Sequence, residues 1–288
     1  MKAAIVGLVR GYPTIYSYSK LIKRNKLLHK NFNRRYNYPV IIFHEGNILP
    51  EHQKLMAYLT PNVTFISLES KAFIAPTSLP IEYETEIGYK HMCRFYAIQI
   101  YDILSEFDYF LRLDDDSYLE SPIKYDIFAF LRQERLIYGY IHGENDYHPQ
   151  TIKTLPHFTR EYIEKYHIKP LCSMDEINEF YYYSNFTLTE TSFWRRPDVQ
   201  GYLHAVDESL GIYKYRWGDH VLQTLALKIF CEPQKIYHFK DFKYSHGSHG
   251  WANYPRKKQV LPLVSLRRRI TRRFECMYLD TMLKIVNN

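Results

Sequence analysis

The sequence predicts an α/β fold, because short apolar runs alternate with segments of helical pattern in its first half. The runs Ala3–Val9, Tyr38–Gly46 and Val63–Leu68 are rich in β-branched residues and end in turn or polar residues, as buried strands do. A stretch of helical pattern separates the first two runs. The order strand, helix, strand is typical of a parallel sheet with its connecting helices.

The helices are predicted from apolar residues spaced three and four positions apart. Lys20–Arg35 mixes basic and apolar residues and predicts an amphipathic helix with a solvated basic face. Gly88–Phe107 predicts a helix of about five turns, which leads directly into a strand at Tyr109–Leu113. The second half is less regular, with a strand-like segment at Phe180–Phe193 and a helix at Arg216–Phe230.

The composition bounds the number of domains and the class of protein. The chain has 288 residues, 46% of them hydrophobic, and a mean hydropathy of -0.40, which is typical of a globular protein with a sizeable core. No internal repeat or low-complexity linker interrupts it, so we expect one domain over residues 1–288. Its 28 tyrosines suit either the binding of sugars and nucleotides or a tyrosine-rich core.

The net charge is 38 − 31 = +7, which favours an anionic partner. Much of the excess lies in Lys20–Arg35 and in Arg267–Arg273. The second segment is compatible with packing on a protein core or with peripheral contact to a membrane surface. A nucleic-acid partner is not expected, because the basic residues are not interleaved with a known binding motif.

The cysteine spacing and the apolar runs bear on the compartment. Four cysteines lie far apart without C-x-x-C spacing, which argues against a zinc knuckle. No run approaches the roughly 20 apolar residues of a membrane span, and the opening MKAAIVGLVRG is too short for a signal peptide. As written, the sequence predicts a cytoplasmic location, or a secretory compartment if a leader has been removed.

Three adjacent aspartates, Asp114, Asp115 and Asp116, follow the strand Tyr109–Leu113. This is the carboxyl end of a strand, where open α/β sheets bind ligands. In an extended segment Asp114 and Asp116 project to one side, and their mutual repulsion is relieved by a cation. The pattern predicts Mn²⁺ or Mg²⁺ completed by the phosphates of a ligand, as in the D-x-D motif of glycosyltransferases. The alternative is an acidic turn facing water.

Histidines cluster late in the chain, between His238 and Trp251. His246 and His249 bracket a Gly-Ser pair that permits close approach of the backbone. A loop histidine there is a candidate to complete a metal site otherwise made of carboxylates. The alternative is an exposed loop with incidental histidines.

Several strings, in order along nearly the whole chain, resemble the fungal α-1,2-mannosyltransferases of glycosyltransferase family 15. They are LVRG, FNRRYNYPVIIFHEG, GYKHMCRFY, YFLRLDDD, YYYSNFTLTETSFWR, YRWGDHVLQTLALKIF and YSHGSHGW. The resemblance implies a single GT-A-like domain whose Rossmann-like mixed sheet is flanked by helices. It implies a nucleotide-binding half at 1–120, an acceptor-binding half at 121–262 and a basic C-terminal helix at 263–288.

The resemblance also implies a reaction and its partners. Mannose would pass from GDP-mannose to an α-mannoside or related glycan acceptor, with Mn²⁺, retention of configuration and formation of an α-1,2 linkage. Family members are anchored Golgi proteins, so a Golgi-lumenal location is implied if an anchor is missing here. A UDP-sugar donor and a non-catalytic carbohydrate-binding protein on the same fold are the alternatives.

The resemblance carries site roles onto particular residues. Asp114 and Asp116 stand at the glutamate and the aspartate of the family's Glu-Pro-Asp motif, and His246 stands at a late metal ligand. Arg10 fits a nucleotide contact, and Asp115 faces either the ribose or solvent. The remaining assignments are Tyr89 and Arg94 at the leaving group and Asp219 at the acceptor, with an ordinary helix N-cap as the alternative role of Asp219.

One departure affects the predicted mechanism. The family string S-N-F-E-I contains a glutamate discussed as a nucleophile, and Thr187 stands at that position here. Threonine does not replace a carboxylate without its own activating base. Glu190 is the nearest carboxylate, but its offset of three residues points it to the opposite face of a strand. We favour attack on one face without a covalent intermediate, over a nucleophilic Glu190 or an impaired enzyme.

Overall fold

The computed structural model describes residues 1–69, 72–74, 76, 79–80, 83, 86–247 and 276–286. The chain forms two compact units, each assembled from separated stretches. Unit 1 comprises Met1–Ala4, Leu68–Arg112 and Tyr125–Lys240, and unit 2 comprises Ile5–Ser67, Leu113–Lys124 and Asp241–Asn288. The predicted boundaries at residues 120 and 262 stay predictions.

Short strands and helices alternate along the chain. The strands are β1 (Ala3–Leu8), β2 (Val40–His44), β3 (Val63–Ser67), β4 (Tyr109–Leu113), β5 (Ser117–Leu119), β6 (Tyr138–Tyr140), β7 (Gly143–Asn145), β8 (Phe180–Tyr182), β9 (Phe186–Glu190), β10 (Ile236–His238) and β11 (Tyr244–His246). The helices are α1 (Ser19–Leu28), α2 (Pro50–Leu59), α3 (Ile87–Arg94), α4 (Ile100–Ile103), α5 (Ile127–Gln133), α6 (Pro149–Lys165), α7 (Thr191–Trp194), α8 (Pro197–Glu208), α9 (Gly211–Tyr215) and α10 (Asp219–Phe230). Residues 276–286 are also helical.

Unit 2 contains the predicted parallel strand–helix pattern. β2 pairs in parallel with β1 and with β3, so that Val40 lies beside Ile5 and Val63. Helix α1 connects the first two strands, and α2 connects the second and third. Every residue of β2 is buried, as its unbroken apolar sequence predicts.

Glycine 7 allows α1 to pack closely on β1. A Cβ atom at Gly7 would lie 2.9 Å from the Leu113 carbonyl oxygen and closer still to the Arg24 guanidinium. Arg24 is fully buried in α1, and its Nη2 donates to that same carbonyl at 3.3 Å. Helix α1 is therefore fixed against the end of β4, immediately before the three aspartates.

A two-stranded antiparallel ribbon joins distant parts of the sequence in unit 2. β5 follows the aspartates, and β11 pairs with it so that His246 lies opposite Ser117. The Gly247 N–H donates to the Asp116 carbonyl at 2.9 Å. This ribbon brings the late histidine beside the carboxylates, about 130 residues away in sequence.

Unit 1 contains a mixed set of strands and most of the helices. Its strands lie in the order β10, β6, β9, β4, with β10 parallel and β9 antiparallel to β6. β7 and β8 form a separate antiparallel pair, and α10 is buried along nearly all its length. Tyr101, Tyr138 and Tyr202 are fully buried, so part of the tyrosine content serves the core.

Most sequence-predicted elements are confirmed, with shifted ends. β4 has the predicted bounds, while the predicted helix Gly88–Phe107 consists of α3, a π-helical turn at Phe95–Gln99 and α4. The segment Phe180–Phe193 is two strands followed by α7 rather than one strand. Within the part of the chain that the structure describes, no helix is long and apolar enough to span a bilayer.

Candidate functional site

The three aspartates form a turn between β4 and β5 in unit 2. The Ser117 N–H closes this turn by donating to the Asp114 carbonyl at 3.1 Å. Asp114 and Asp115 are partly exposed, whereas Asp116 is buried with 5% of its surface exposed. A buried strand thus ends in two partly exposed carboxylates and one buried carboxylate.

Both carboxylate oxygens of Asp116 contact basic side chains. His246 Nε2 lies 2.9 Å from Asp116 Oδ1, and Lys20 Nζ donates to Asp116 Oδ2 at 2.8 Å. Burial alone would raise the pKa of Asp116, but the hydrogen bonds from His246 and Lys20 outweigh it and lower the pKa to about 2. Asp116 is therefore ionised at neutral pH.

The rest of the turn carries further negative charge. His246 Nε2 also lies 3.9 Å from Asp114 Oδ2, so the imidazole faces both predicted carboxylate ligands. Burial raises the pKa of Asp115, and the neighbouring Asp116 and Asp114 raise it further. Arg10 is exposed after β1, where its Nε donates to the Tyr12 hydroxyl at 3.1 Å and Asp115 and Glu45 help to raise its pKa.

The donor chemistry of this turn fits a hard divalent cation. Carboxylate oxygens with one imidazole nitrogen are suitable ligands for Mn²⁺. A Cβ atom at Gly247 would lie 2.9 Å from Asp116 Oδ2, so glycine leaves that oxygen uncrowded. Among the described residues, no group of three or more His, Cys, Asp or Glu side chains is gathered closely enough to hold a metal ion. Instead, Lys20 and His246 contact the Asp116 oxygens. His249 lies outside the described residues.

A second carboxylate cluster lies in unit 1, around Asp219. This side chain is buried, and its Oδ2 accepts hydrogen bonds from Arg112 Nη1 and from Ser184 Oγ, the latter at 2.8 Å. The Arg112 guanidinium also lies 3.4 Å from the centre of the Tyr96 ring. Burial would raise the pKa of Asp219, but Arg112, His220 and Ser184 lower it, so the buried pair is ionic.

The helix-cap alternative for Asp219 is wrong. The N-cap of α10 is Gly218, and Asp219 is the first helical residue. Its carboxylate binds Arg112 and Ser184 rather than the amides of the first helical turn. The side chain therefore links α10 to β4 and to the segment before β9.

Tyr89 lies in α3, close to the Asp219 cluster. Burial, together with Cys93 and Asp219, raises the pKa of Tyr89, so its phenol is neutral and able to donate a hydrogen bond. The Arg216 guanidinium lies 4.1 Å from the centre of the Tyr89 ring and donates to Glu86 at 2.7 Å. Both Glu86 and Arg216 have positive φ angles, of 53° and 61°, so this contact joins two strained backbone positions.

The structure places Arg94 and Glu190 in other contacts of unit 1. Arg94 donates through two nitrogens to both oxygens of Asp207, each at 2.7 Å. Glu190 ends β9 and accepts from Ser192 Oγ at 2.7 Å. Thr187 is buried in the same strand, with its hydroxyl 3.1 Å from the Tyr138 hydroxyl.

Four residues of these clusters were not singled out from the sequence. Lys20 is visible in the sequence only as part of a basic helix, and Ser184 and Arg216 carry no local signal. Each has a partner at least 35 positions away. An arginine inside an otherwise apolar buried strand was the one sequence signal for Arg112, because buried charges need partners.

Comparison with known proteins identifies the family. The family model described as glycolipid 2-alpha-mannosyltransferase matches residues 1–265. The chain belongs to this family. The predicted family and the predicted enzyme class, a glycosyltransferase, are therefore confirmed.

Relatives with about one quarter identity support the assignment. The chain is 26% identical over 273 residues to the α-1,2 mannosyltransferase KTR1 of Saccharomyces cerevisiae, covering 85% of this chain and 68% of the relative. It is 26% identical over 288 residues to glycolipid 2-alpha-mannosyltransferase 1 of Candida albicans, covering 90% and 65%. The chain thus spans about two thirds of the length of these relatives.

Two solved structures have a similar fold. The mannosyltransferase Ktr4p of S. cerevisiae superposes with a TM-score of 0.77 at 25% identity, over 88% of this chain and 72% of that one. Core-mannan synthase A of Aspergillus fumigatus, in a Mn/GDP form, gives 0.78 at 22% identity, over 91% and 79%. The predicted α/β, GT-A-like fold is confirmed. The comparisons support the mannosyltransferase hypothesis and not its alternatives.

Proposed function

We propose that this member of the glycolipid 2-alpha-mannosyltransferase family transfers mannose from GDP-mannose to an α-mannoside or related glycan, forming an α-1,2 linkage with retention. The names of its relatives and the Mn/GDP form of a solved neighbour support the donor and the metal. The observation that carries the proposal is the Asp116–His246 contact beside Asp114, at the end of a buried strand.

The metal and nucleotide roles fall on the aspartate turn. Asp114, Asp116 and His246 would hold Mn²⁺ or Mg²⁺, which when bound would neutralise charge on the diphosphate leaving group. Arg10 and Asp115, which interact electrostatically, would contact the nucleotide. We expect Arg94 to act indirectly, by bracing α3, because Asp207 occupies its guanidinium on two sides.

The residues of unit 1 would orient the reacting groups. Tyr89 has a neutral phenol that would donate a hydrogen bond to the leaving group. Asp219 would act as a positioning residue for the acceptor side, by fixing Ser184 and the start of α10 through its buried contacts. Neither role requires these side chains to change protonation state.

The chemistry that we propose is attack on one face of the sugar. The bond between the mannose C1 and the diphosphate oxygen breaks, the acceptor oxygen bonds to C1, and the acceptor proton passes to the departing diphosphate. Thr187 is hydrogen-bonded to Tyr138, and Glu190 is hydrogen-bonded to Ser192, so neither side chain is arranged as an activated nucleophile.

The test is a donor and acceptor screen of the full chain with MnCl₂, measuring GDP release and the linkage of the product. GDP-mannose and an α-mannoside should give an α-1,2-linked product. Asp116→Asn should lower kcat/KM by about 100-fold or more, because loss of a ligand should cost at least as much as the roughly 10- to 100-fold typical when a residue that orients a metal ligand is lost. Asp115→Asn should retain more activity. Turnover of a UDP-sugar but not of GDP-mannose would overturn the donor assignment. Sugar binding without turnover would overturn the enzymatic proposal.

The metal shell is tested separately by Asp114→Asn and His246→Ala. Each variant should need a higher Mn²⁺ concentration for half-maximal activity, by about 10-fold or more. His249→Ala is the comparison variant, because His249 lies in the same stretch of sequence as His246 but is not a proposed metal ligand. An unchanged Mn²⁺ requirement in both of the first two variants would contradict this set of ligands.

We also propose a peripheral contact with an anionic membrane surface near the C-terminal helix. Residues 276–286 border a cavity of about 390 Å³ whose lining includes Lys20, Lys23 and Lys26. Met277, Tyr278 and Ile285 are exposed on that helix. Basic residues beside exposed apolar ones are typical of membrane-surface segments. The segment Arg267–Arg273 lies outside the described residues.

Co-sedimentation with vesicles tests this contact. Binding to vesicles with anionic lipid, weakened by salt and by Lys23→Gln with Lys26→Gln, would support it. Equal binding of the protein to neutral vesicles, or no binding to either kind of vesicle, would contradict the proposed contact. The predicted locations, the cytoplasm and the Golgi lumen, stay predictions that microscopy of the tagged full-length protein would separate.

A further inference from the structure

We infer that Lys20 competes with the divalent cation for Asp116 and, once displaced, binds the diphosphate of the nucleotide. This inference rests on the proposed metal-dependent function, and it assigns a role to a residue that the family strings leave out. Lys20 Nζ donates to Asp116 Oδ2 at 2.8 Å, while His246 is at Oδ1. A cation that bound Asp116 through Oδ2 would have to replace the ammonium there.

The exposure of Lys20 indicates that the contact is open to exchange. The Lys20 side chain keeps 57% of its surface exposed, although its partner carboxylate keeps only 7%. Gly247 borders Oδ2, and any larger residue there would crowd it. The lysine side chain is flexible and carries a compact charge at its end, so Lys20 can leave the carboxylate without disturbing helix α1.

The position of Lys20 is fixed by the helix that carries it. Lys20 and Arg24 are four residues apart in α1 and therefore lie on the same face. Arg24 is buried and donates a hydrogen bond to the Leu113 carbonyl. This hydrogen bond anchors the shared helix face beside the aspartate turn. After release from Asp116, the Lys20 ammonium would remain within a side-chain length of the turn.

The charges around Asp116 define what displacement does. Asp114 and Asp115 are its anionic neighbours, and Lys20, Arg24, His246 and Arg10 are the basic groups that interact with the turn. A divalent cation at Asp116 and an ammonium at contact distance repel each other. The bound metal would therefore drive Lys20 toward the next anion, which is the diphosphate that the metal also binds.

Two opposite changes follow from this arrangement. Replacing Lys20 by Met removes the competitor, so Mn²⁺ should bind the nucleotide-free protein about 10-fold more tightly, whereas GDP should bind the Mn²⁺-loaded protein about 10-fold more weakly. A lysine that only stabilised the fold would not change the two affinities in opposite directions.

The experiment uses the full chain and measures Mn²⁺ binding by electron paramagnetic resonance and GDP binding by calorimetry at saturating Mn²⁺. Lys23→Met is the matched control, because Lys23 lies on the same helix with its ammonium 4.2 Å from the centre of the Tyr118 ring. It should change both affinities by less than about 2-fold. Lys20→Arg should keep GDP affinity close to that of the parent, and circular dichroism melting would show that each variant is folded.

The outcomes separate this inference from the proposed function. Asp116-dependent Mn²⁺ binding that Lys20→Met fails to tighten would overturn the competition alone. A tightening of Mn²⁺ binding without weaker GDP binding would overturn the diphosphate role. No Asp116-dependent Mn²⁺ binding in either the parent or Lys20→Met would overturn the metal site itself, and the competition with it.

Discussion

Two buried aspartates, Asp116 in unit 2 and Asp219 in unit 1, are ionised in different ways. The partner of Asp116 Oδ2 is Lys20, whose side chain is 57% exposed, whereas Asp219 pairs with Arg112, whose side chain is 4% exposed. The first contact has one solvated partner, and we infer that this partner exchanges with another cation. The second is enclosed and also involves Ser184 and the ring of Tyr96. The two carboxylates are similarly buried, so the exposure of the basic partner is what distinguishes the two pairs.

The largest effect should come from breaking the enclosed pair. Arg112→Met leaves Asp219 buried without its main counter-charge, and such a loss typically costs 3–5 kcal/mol, so we expect about 3–5 kcal/mol lower free energy of unfolding. Lys20→Met should cost about 1 kcal/mol or less, because its contact is half solvated. Urea unfolding of both variants measures the contrast.

The double variant Arg112→Met, Asp219→Asn provides the control for this comparison. Removing the second charge should restore a large part of the loss, because the uncompensated charge is what destabilises the single variant. Equal costs for Arg112→Met and Lys20→Met would contradict the distinction between the two pairs.

A smaller effect should appear in the pH dependence of stability. In the folded state the pKa of Asp116 is lowered to about 2, below the ordinary aspartate value of 3.8, and this difference corresponds to about 2 kcal/mol of stability. Because the folded state favours the ionised form, this stabilisation is complete above about pH 4 and is lost as pH falls toward about 2. Urea unfolding at pH 5, 4 and 3 should therefore show the parent losing its advantage over Asp116→Asn.

Asp115 provides an internal contrast of opposite sign. Its pKa is raised in the folded state by burial and by its two neighbours, so its ionisation destabilises the fold as pH rises above the ordinary carboxyl range. Asp115→Asn should accordingly gain stability relative to the parent between pH 3 and pH 6. Parallel pH profiles for Asp115→Asn and Asp116→Asn would contradict the assignment of separate environments within the turn.

Local patterns in the sequence were sufficient for the elements that have strong periodicity. β4 and the three aspartates after it are local in sequence, and apolar spacing located the helix that contains α3 and α4. The three-residue strands β5, β6 and β10 are too short to show alternation, so the sequence did not indicate them. Helix α6 was also missed, and its interior contains Pro156, a residue that normally argues against a helix.

The partners of the site residues were beyond local reasoning. Lys20 and Asp116 are 96 positions apart, and Arg112 and Asp219 are 107 apart. Such pairs depend on how α1 packs on β1 and where α10 begins, which no window of sequence encodes. Asp219 is an example. If α10 began one residue later, Asp219 would be its N-cap; because the helix begins at Asp219, the side chain forms a buried ion pair instead.

The smallest effect is expected at a third carboxylate, Glu190, which belongs to neither cluster. Its side chain accepts a hydrogen bond from Ser192 at the end of β9, and Ser192 would donate equally well to a glutamine oxygen. Glu190→Gln should therefore change kcat/KM by less than about 3-fold, since removing a typical hydrogen bond costs about 1 kcal/mol or less when the partner is retained. Steady-state kinetics measure this, with Asp116→Asn as the reference for a strong effect. A loss of several orders of magnitude, together with a protein mass increased by one hexose, would instead identify Glu190 as the nucleophile that Thr187 cannot replace.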